Sequence, residues 1–139
     1  MNLKLVTLGG VKLDETVYSV TIPTIDGEIS VLPSHEPLVT VARDGVITVR
    51  RIKETQEEEF FAISGGVVEI DQTGVRILVD EADHGDDIIE AETQAALERA
   101  IAARDNADDQ IEREKAKQLI DRHMVRLKVA DLQRRKRRR

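Results

Sequence analysis

The chain contains no cysteine and no tryptophan, and only one tyrosine and two phenylalanines in 139 residues. Without cysteine it has neither disulfides nor thiolate metal sites, and a reducing compartment is permitted. With aromatics at 2% and apolar residues at 40%, any core has to be built from Val, Ile, Leu and Ala. No apolar run approaches the roughly 18 residues of a membrane-spanning helix. The opening MNLKLVTLGG has no basic leader followed by a long apolar run, and it already alternates as a strand, so no signal peptide is expected. A Walker loop, a GxGxxG fingerprint and a nucleophile–base pair are also missing, which leaves no catalytic constellation. The three histidines, His35, His84 and His123, have no ligand spacing around them. A metal site needs three or four convergent ligands, so none is expected.

What the chain does have is charge, unevenly spread. From Ile111 onward there are 12 Lys+Arg against 4 Asp+Glu, a balance of +8; the first 110 residues hold 9 against 23, a balance of −14. An acidic body with a basic end calls for a physical explanation.

Short alternating segments fill the first 80 residues. Asn2–Leu8 sets Leu3 and Leu5 against Asn2 and Lys4, the period of a half-buried strand, until Gly9-Gly10 breaks it. Thr16–Ile22 places Tyr18, Val20 and Ile22 on one face, and Pro23 is expected to end it. Val46–Ile52 aligns Ile47 with Val49, and Glu58–Ser64 aligns Glu59, Phe61 and Ile63. Val67–Ile70 and Val75–Asp80 flank Asp71-Gln72-Thr73-Gly74, a hairpin turn. Short strands at this spacing predict an all-β sandwich or barrel.

The most constrained stretch is Gly27–Thr40, GEISVLPSHEPLVT. Asp26-Gly27 is a turn dipeptide, Ile29, Val31 and Leu32 form a short strand run, and Val39-Thr40-Val41 resumes strand chemistry. Pro33 and Pro37 each fix φ and remove a ladder donor. The intervening Ser34, His35 and Glu36 sit on a stiff displayed loop, which with Glu28 is a contact surface or a site.

After Asp80 the period changes. Asp83–Asp87 reads as a linker, and Asp87 with Glu90 resembles a capping box. Ile88 to about Arg104 is rich in helix formers, with Ile89, Ala96, Leu97, Ala100 and Ile101 on one stripe. Asp105–Asp108 interrupts, and Asp108 or Asp109 caps a second helix from about Gln110 to about Gln133. Its stripe is Ala116, Leu119, Ile120, His123, Met124, Leu127 and Ala130. The expected architecture is therefore a β-sandwich of about ten strands over 1–84, followed over 85–139 by an antiparallel α-helical hairpin with a basic tail, Arg134–Arg139.

These residues together resemble the epsilon subunit of bacterial F-type ATP synthase. The family pattern Gly-Glu-apolar-Gly/Ser-apolar-apolar-Pro-x-His-x-Pro-Leu-apolar-Thr is matched by Gly27 to Thr40 almost without gaps. Asp44-Gly45-Val46, Ser64–Ile70, Val75–Asp80 with Glu81-Ala82, and Arg126–Asp131 match further family positions, so the resemblance spans nearly the whole chain. It implies a non-catalytic rotor component of the central stalk, binding the gamma subunit and resting on the loops of the c-subunit ring. In that family the positions of Glu28, Ser34 and His35 dock on the ring. The hairpin folds down on the sandwich or extends along gamma, where it inhibits ATP hydrolysis. The resemblance assigns Arg122, Arg126, Lys128, Arg134 and Arg135 to contact with the beta and alpha subunits of the catalytic head. It implies a location on the cytoplasmic face of the bacterial plasma membrane, attached only through the complex, or alternatively the stromal side of the thylakoid.

Some family members bind ATP on the folded hairpin through Ile/Leu-Asp-x-x-Arg-Ala. Here Ile88 is present, but Ile89 and Glu92 replace the Asp and Arg, and Glu92 repels phosphate. Arg99, Arg122 and Arg126 fall where that site's phosphate-side arginines lie. The expectation is weak ATP binding or none, and no other cofactor. Beside the plain reading of a disordered solvated end, the arginine tail has two binding readings: attachment to nucleic acid or anionic lipid, or docking on an acidic protein surface. The scarcity of aromatics for stacking and the acidic body favour the protein surface and argue against nucleic acid.

Overall fold

A computed structural model describes residues 1–138, so Arg139, the last residue of the expected tail, lies outside the described residues. Ten strands are followed by two helices, as the alternation and the later helical period predict. The strands are β1 (Asn2–Thr7), β2 (Gly10–Thr16), β3 (Ser19–Thr24), β4 (Gly27–Val31), β5 (Leu38–Ala42), β6 (Gly45–Arg50), β7 (Glu59–Ile63), β8 (Gly66–Ile70), β9 (Gly74–Val79) and β10 (Ala82–His84). The helices are α1 (Glu90–Asp105) and α2 (Gln110–Arg137).

The strands run in the order β10-β7-β6-β3-β5-β8-β9-β1-β2, with β4 on the free side of β3. This makes two halves, β4-β3-β6-β7-β10 and β5-β8-β9-β1-β2, joined through the Thr24–Ala42 pair. All pairings are antiparallel except β1 with β9. Inward residues of both halves, including Leu3, Leu5, Val20, Ile22, Ile47, Val49, Val68 and Ile77, form one aliphatic core. At roughly 1.5–3 kcal/mol per fully buried Val, Ile or Leu, this core carries the sandwich without aromatic help.

Several sequence expectations are corrected. Gly10–Thr16 is a strand, hidden because only Leu13 of its residues is buried. The next strand begins at Ser19, not Thr16, and Tyr18 lies before it, under the Arg50 guanidinium at 5.7 Å. Pro23 does not end β3. Its carbonyl accepts the Arg43 N–H at 2.9 Å, on the side where β3 exchanges β6 for β5 as partner, so no ladder donor is needed there. Asp83–Asp87 is not a free linker, since β10 pairs with β7 and Gly85–Asp87 is a 3-10 turn. The Asp87–Glu90 capping box is absent: Ile89 is the N-cap of α1, without a side-chain bond. Asp109 does cap α2, accepting the Glu112 N–H at 2.8 Å.

The hairpin lies on the outer face of the first half. Ala62 on β7 meets Val129 and Ala130 of α2 and Ile88 before α1, with Val46, Phe60 and Val125 at the margin. Phe61 and Ile63 point into the sandwich while Ala62 is covered by the helix, which is why β7 is buried on both faces. Of the expected α2 stripe, Ala116, Ile120 and Ala130 are buried, whereas Leu119 and Met124 are exposed; Val129 and Gln133 join the buried set. Helix α2 also continues to Arg137, so the described part of the basic tail is helical.

Gly66 of β8 packs so tightly on β9 that a Cβ there would sit on the Leu78 carbonyl. Gly66→Ala is expected to destabilise the fold by about 1–3 kcal/mol. The check is a lower urea midpoint with an unchanged m-value.

Candidate functional site

The loop after β4 is built by its two prolines. Val31 is fully buried and ends the strand; Pro33 follows, and Ser34 takes φ +68°, the left-handed region that a residue with a Cβ adopts at a cost. The His35 Nδ1–H donates to the Glu36 carbonyl at 2.7 Å, which fixes the ring and leaves Nε2 facing outward from that bond. Ser34 and His35 are therefore held on a rigid protrusion at one end of the sandwich.

Glu28 is not beside them. It pairs with Pro23 near the β3–β4 turn, about 10 Å along β4 from Val31. There it lines a cleft of about 640 Å³ between the first half and the end of α2, with Thr48, Glu57, Lys128, Arg135 and Lys136. The three residues expected to share a ring-facing surface thus fall into two places: Ser34 with His35, and Glu28 with Lys128 and Arg135.

The basic residues of the hairpin face carboxylates. Arg122 donates to Glu81 at 3.4 Å, and Arg126 lies 3.8 Å from Asp83. Arg134 donates to both oxygens of Glu90 at 3.0 Å and to Asp131. Arg135 pairs with Asp131 at 3.1 Å, and Arg137 donates to Asp86 at 2.7 Å. The Arg137 hydrogen bond holds the Asp86 carboxyl below its ordinary range. The sequence does not pair these acidic residues with the arginines: Glu81 reads there as a strand end, Asp83 and Asp86 as linker, and Glu90 as half of a capping box.

Of the residues expected around ATP, the three arginines Arg99, Arg122 and Arg126 lie around His123. Ile88 is buried against Ala62, Val129 and Ala130, Ile89 is exposed at the N-cap, and Glu92 faces solvent. Arg99 lies near His123, whose Nδ1 is buried without a partner. Burial, with Arg126 and Arg99 beside it, pushes His123 below its ordinary value. Among the described residues, no group of three or more His, Cys, Asp or Glu could hold a metal ion, and no helix is long and apolar enough to cross a membrane.

The outer face of the second half carries one apolar row beside a charged one, Glu69–Arg76–Lys4–Asp14. Cross-strand registers run Val41–Val67–Leu78–Val6–Val11, one residue from each of β5, β8, β9, β1 and β2. Val41, Val67, Leu78 and Val11 are exposed by 39–56%, and Val39 beside them by 71%. Ile25, whose N–H donates to the Val41 carbonyl, extends the row at 58% exposure. A row of this length on one open sheet face marks an interaction surface.

Fold and surfaces together define a β-sandwich module with one face covered by its own helical hairpin and the other left open to a partner. Residues 1–85 match the family model "ATP synthase, Delta/Epsilon chain, beta-sandwich domain". The ATP synthase epsilon chain of Chloroflexus aggregans is 34% identical over 138 residues, covering 99% of this chain and 97% of that one. That of Herpetosiphon aurantiacus is 35% identical over 137 residues, covering 96% of each. A chain in the structure of the Euglena gracilis mitochondrial ATP synthase (OSCP/F1/c-ring) aligns with TM-score 0.74 at 30% identity, covering 94% of this chain and 79% of that one. A chain from the central stalk/c-ring of the Tetrahymena thermophila enzyme shares the fold, with TM-score 0.57 at 16% identity, covering 94% and 96%. The chain belongs to the ATP synthase epsilon-chain family, and its structural matches are ATP synthase stalk and ring assemblies.

Because folding depresses the His123 pKa, the unfolded chain binds the proton more readily, from about pH 6.5 downward. Stability is therefore expected to fall as pH drops through that value, in a window above the carboxylate range. His123→Gln should flatten this slope between about pH 7.5 and 5.5, read as urea midpoints at each pH.

Proposed function

We propose that this chain is a non-catalytic central-stalk subunit that fixes the gamma subunit to the c-subunit ring and carries a hairpin able to brake ATP hydrolysis. The observation that carries the proposal is the apolar row Ile25–Val41–Val67–Leu78–Val6–Val11. It crosses five strands of the second half and reaches the β3–β4 turn, on the face opposite the hairpin. Rotation is transmitted only through a seat that does not slip, and a broad apolar face buried against gamma supplies one.

The Pro33–Pro37 loop, with Ser34 and His35 at its tip, is the ring contact in this reading, because a rigid polar protrusion suits the polar loops of a ring of small subunits. Glu28 lies on the hairpin-side face, where Lys128 and Arg135 also stand. It serves the ring only if the ring reaches around the edge strand β4. Arg122, Arg126, Lys128, Arg134 and Arg135 meet acidic loops of the catalytic head when the hairpin extends. ATP is not a strong ligand of the docked hairpin: Ile89 and Glu92 stand in place of the family Asp and Arg, and Arg122 and Arg126 already face Glu81 and Asp83. In this reading the chain sits on the cytoplasmic face of the membrane, held there only through the complex.

The test is ATP hydrolysis by a catalytic head that contains gamma and lacks its own epsilon. The full chain is expected to bind and inhibit. A version ending at Asp86, whose sandwich core is separate from the hairpin contact, is expected to bind without inhibiting. Val67→Asp with Leu78→Asp is expected to weaken binding at least about tenfold. If the full chain binds no gamma-containing complex, the stalk role fails, and the nucleic-acid reading of the basic end is tested next by mobility shift. If full and truncated chains bind equally and neither inhibits, the brake fails and the coupling role stands.

A further inference from the structure

Three of the arginines that this reading assigns to the catalytic head, Arg122, Arg126 and Arg134, already face carboxylates of one segment of the chain, and Arg137 beside them does the same. Glu81 takes Arg122, Asp83 faces Arg126, Asp86 takes Arg137 and Glu90 takes Arg134 through both oxygens. All four carboxylates come from one segment, Glu81–Glu90, which leaves the sandwich as β10, makes the 3-10 turn and enters α1. The fit is built at its centre. Gln133 is only 5% exposed and donates from Nε2 to Asp86 at 2.7 Å. Its side chain lies over Gly85, where a Cβ would come within 2.9 Å of Gln133 Oε1. His84 accepts the Asp86 N–H at 2.9 Å and packs edge-on against Phe61 of β7. Segment, helix end and sheet are thereby tied at one place.

We propose that Glu81–Glu90 is an acidic strap, an internal stand-in for the acidic surface of a partner. It engages the arginines of α2 and holds the hairpin closed on the sandwich, and the hairpin is released when another anionic surface or salt takes those arginines. The basic end of α2 is then the closing half of a latch. The proposal deepens the stalk reading, on which it rests only for the identity of the competing surface; the strap itself is testable in the chain alone.

Because the chain has no cysteine, spin labels can be placed at Glu54→Cys, on the loop before β7, and Lys115→Cys, on the overhanging part of α2. Pulsed electron double resonance then reads the closed and open populations of the isolated full chain. At about 0.1 M salt the unaltered strap is expected to give one closed distance, broadening toward about 1 M as exposed charges are screened. Combining Glu81→Gln, Asp83→Asn, Asp86→Asn and Glu90→Gln is expected to raise the open-to-closed ratio about tenfold, the product of several weak pairs. Glu90→Arg alone should also open the hairpin, and Glu90→Arg with Arg134→Glu should close it again, which a merely structural role for either residue would not produce. A poly-glutamate peptide should open the unaltered chain. A closed distance that survives neutralisation of the strap, in a chain whose sandwich amides remain protected, overturns the proposal. So does failure of the charge swap to restore closure. Neither outcome bears on whether the chain binds gamma, so the strap and the stalk role fail separately.

Discussion

The hairpin reaches the sandwich through a contact between small side chains, Ala62 of β7 against Ala130 and Val129 of α2, and much else depends on that closeness. A larger residue at Ala62 would lift α2 off the sheet and carry Arg122 and Arg126 away from Glu81 and Asp83. Burying two alanines, one valine and one isoleucine stabilises the contact by only a few kcal/mol, at about 25 cal/mol per Å² of apolar surface. That is small beside the core of Leu3, Ile22, Ile47, Val68 and Ile77. The sandwich is therefore the stable unit, and the hairpin is an adherent whose position weak terms decide. Exposed ion pairs, individually worth about 0–1 kcal/mol, count for little in a core but enough at a balance of this kind.

The two outer faces are treated in opposite ways. On the first half Thr48, Phe60 and Ala62 are screened by α2, at least in part. On the second half Val41, Val67 and Leu78 face outward in one row, and the row beside it is charged: Glu69 and Arg76 form an ion pair at 3.6 Å, with Lys4 and Asp14 next in register. An antiparallel sheet with one solvated face ordinarily alternates apolar inside with polar outside. β5 and β8 break that rule at Val39, Val41 and Val67. A covering element accounts for the apolar outer residues of one half, and the chain supplies none for the other. The asymmetry separates a face the chain closes for itself from a face it leaves to a partner.

Much of this was legible in the residues. Alternation in Val46–Ile52 and Val75–Asp80 gave strands because one face of each is buried, and Asp71–Gly74 was readable because the Asp71 carboxylate accepts Thr73 and Gly74 in a local turn. What stayed hidden depends on the other half of a contact. β2 has one buried side chain and no apolar period. β10 has three residues and exists through pairing with β7. Ala62 looked like an outward position because nothing local says that a helix covers it. The α2 stripe keeps Ala116, Ile120 and Ala130 but loses Leu119 and Met124 and gains Val129 and Gln133, for a related reason. The first part of α2 overhangs the sandwich and meets only α1, so its apolar period reports a narrower contact than its length suggests. The candidate site divided in the same way. The Pro33–Pro37 loop is local chemistry and could be read directly, whereas the carboxylates at Glu81, Asp83, Asp86 and Glu90 gain meaning only from arginines about forty to fifty residues away.

The chemistry of those arginines sets how a switch built on them behaves. A guanidinium leaving Glu81 for a carboxylate on another subunit exchanges one charge-assisted hydrogen bond for another of the same kind. Such an exchange is close to neutral in free energy, so the pairs that hold the hairpin closed in the chain alone favour neither state once a partner's carboxylates are present. The difference has to come from what else is gained or lost: Ala62, Ile88, Val129 and Ala130 are uncovered on opening, and the partner must bury comparable apolar area to compensate. The side chains able to contribute to that are already exposed, Ile111 and Leu119 on the first part of α2 and Met124 further along it. An arrangement with matched ion pairs on both sides and a small apolar difference between them responds to modest changes in conditions, because no single term is large enough to dominate. The cost is sensitivity to ionic strength, which weakens the exposed pairs in either state and leaves the apolar contacts to decide.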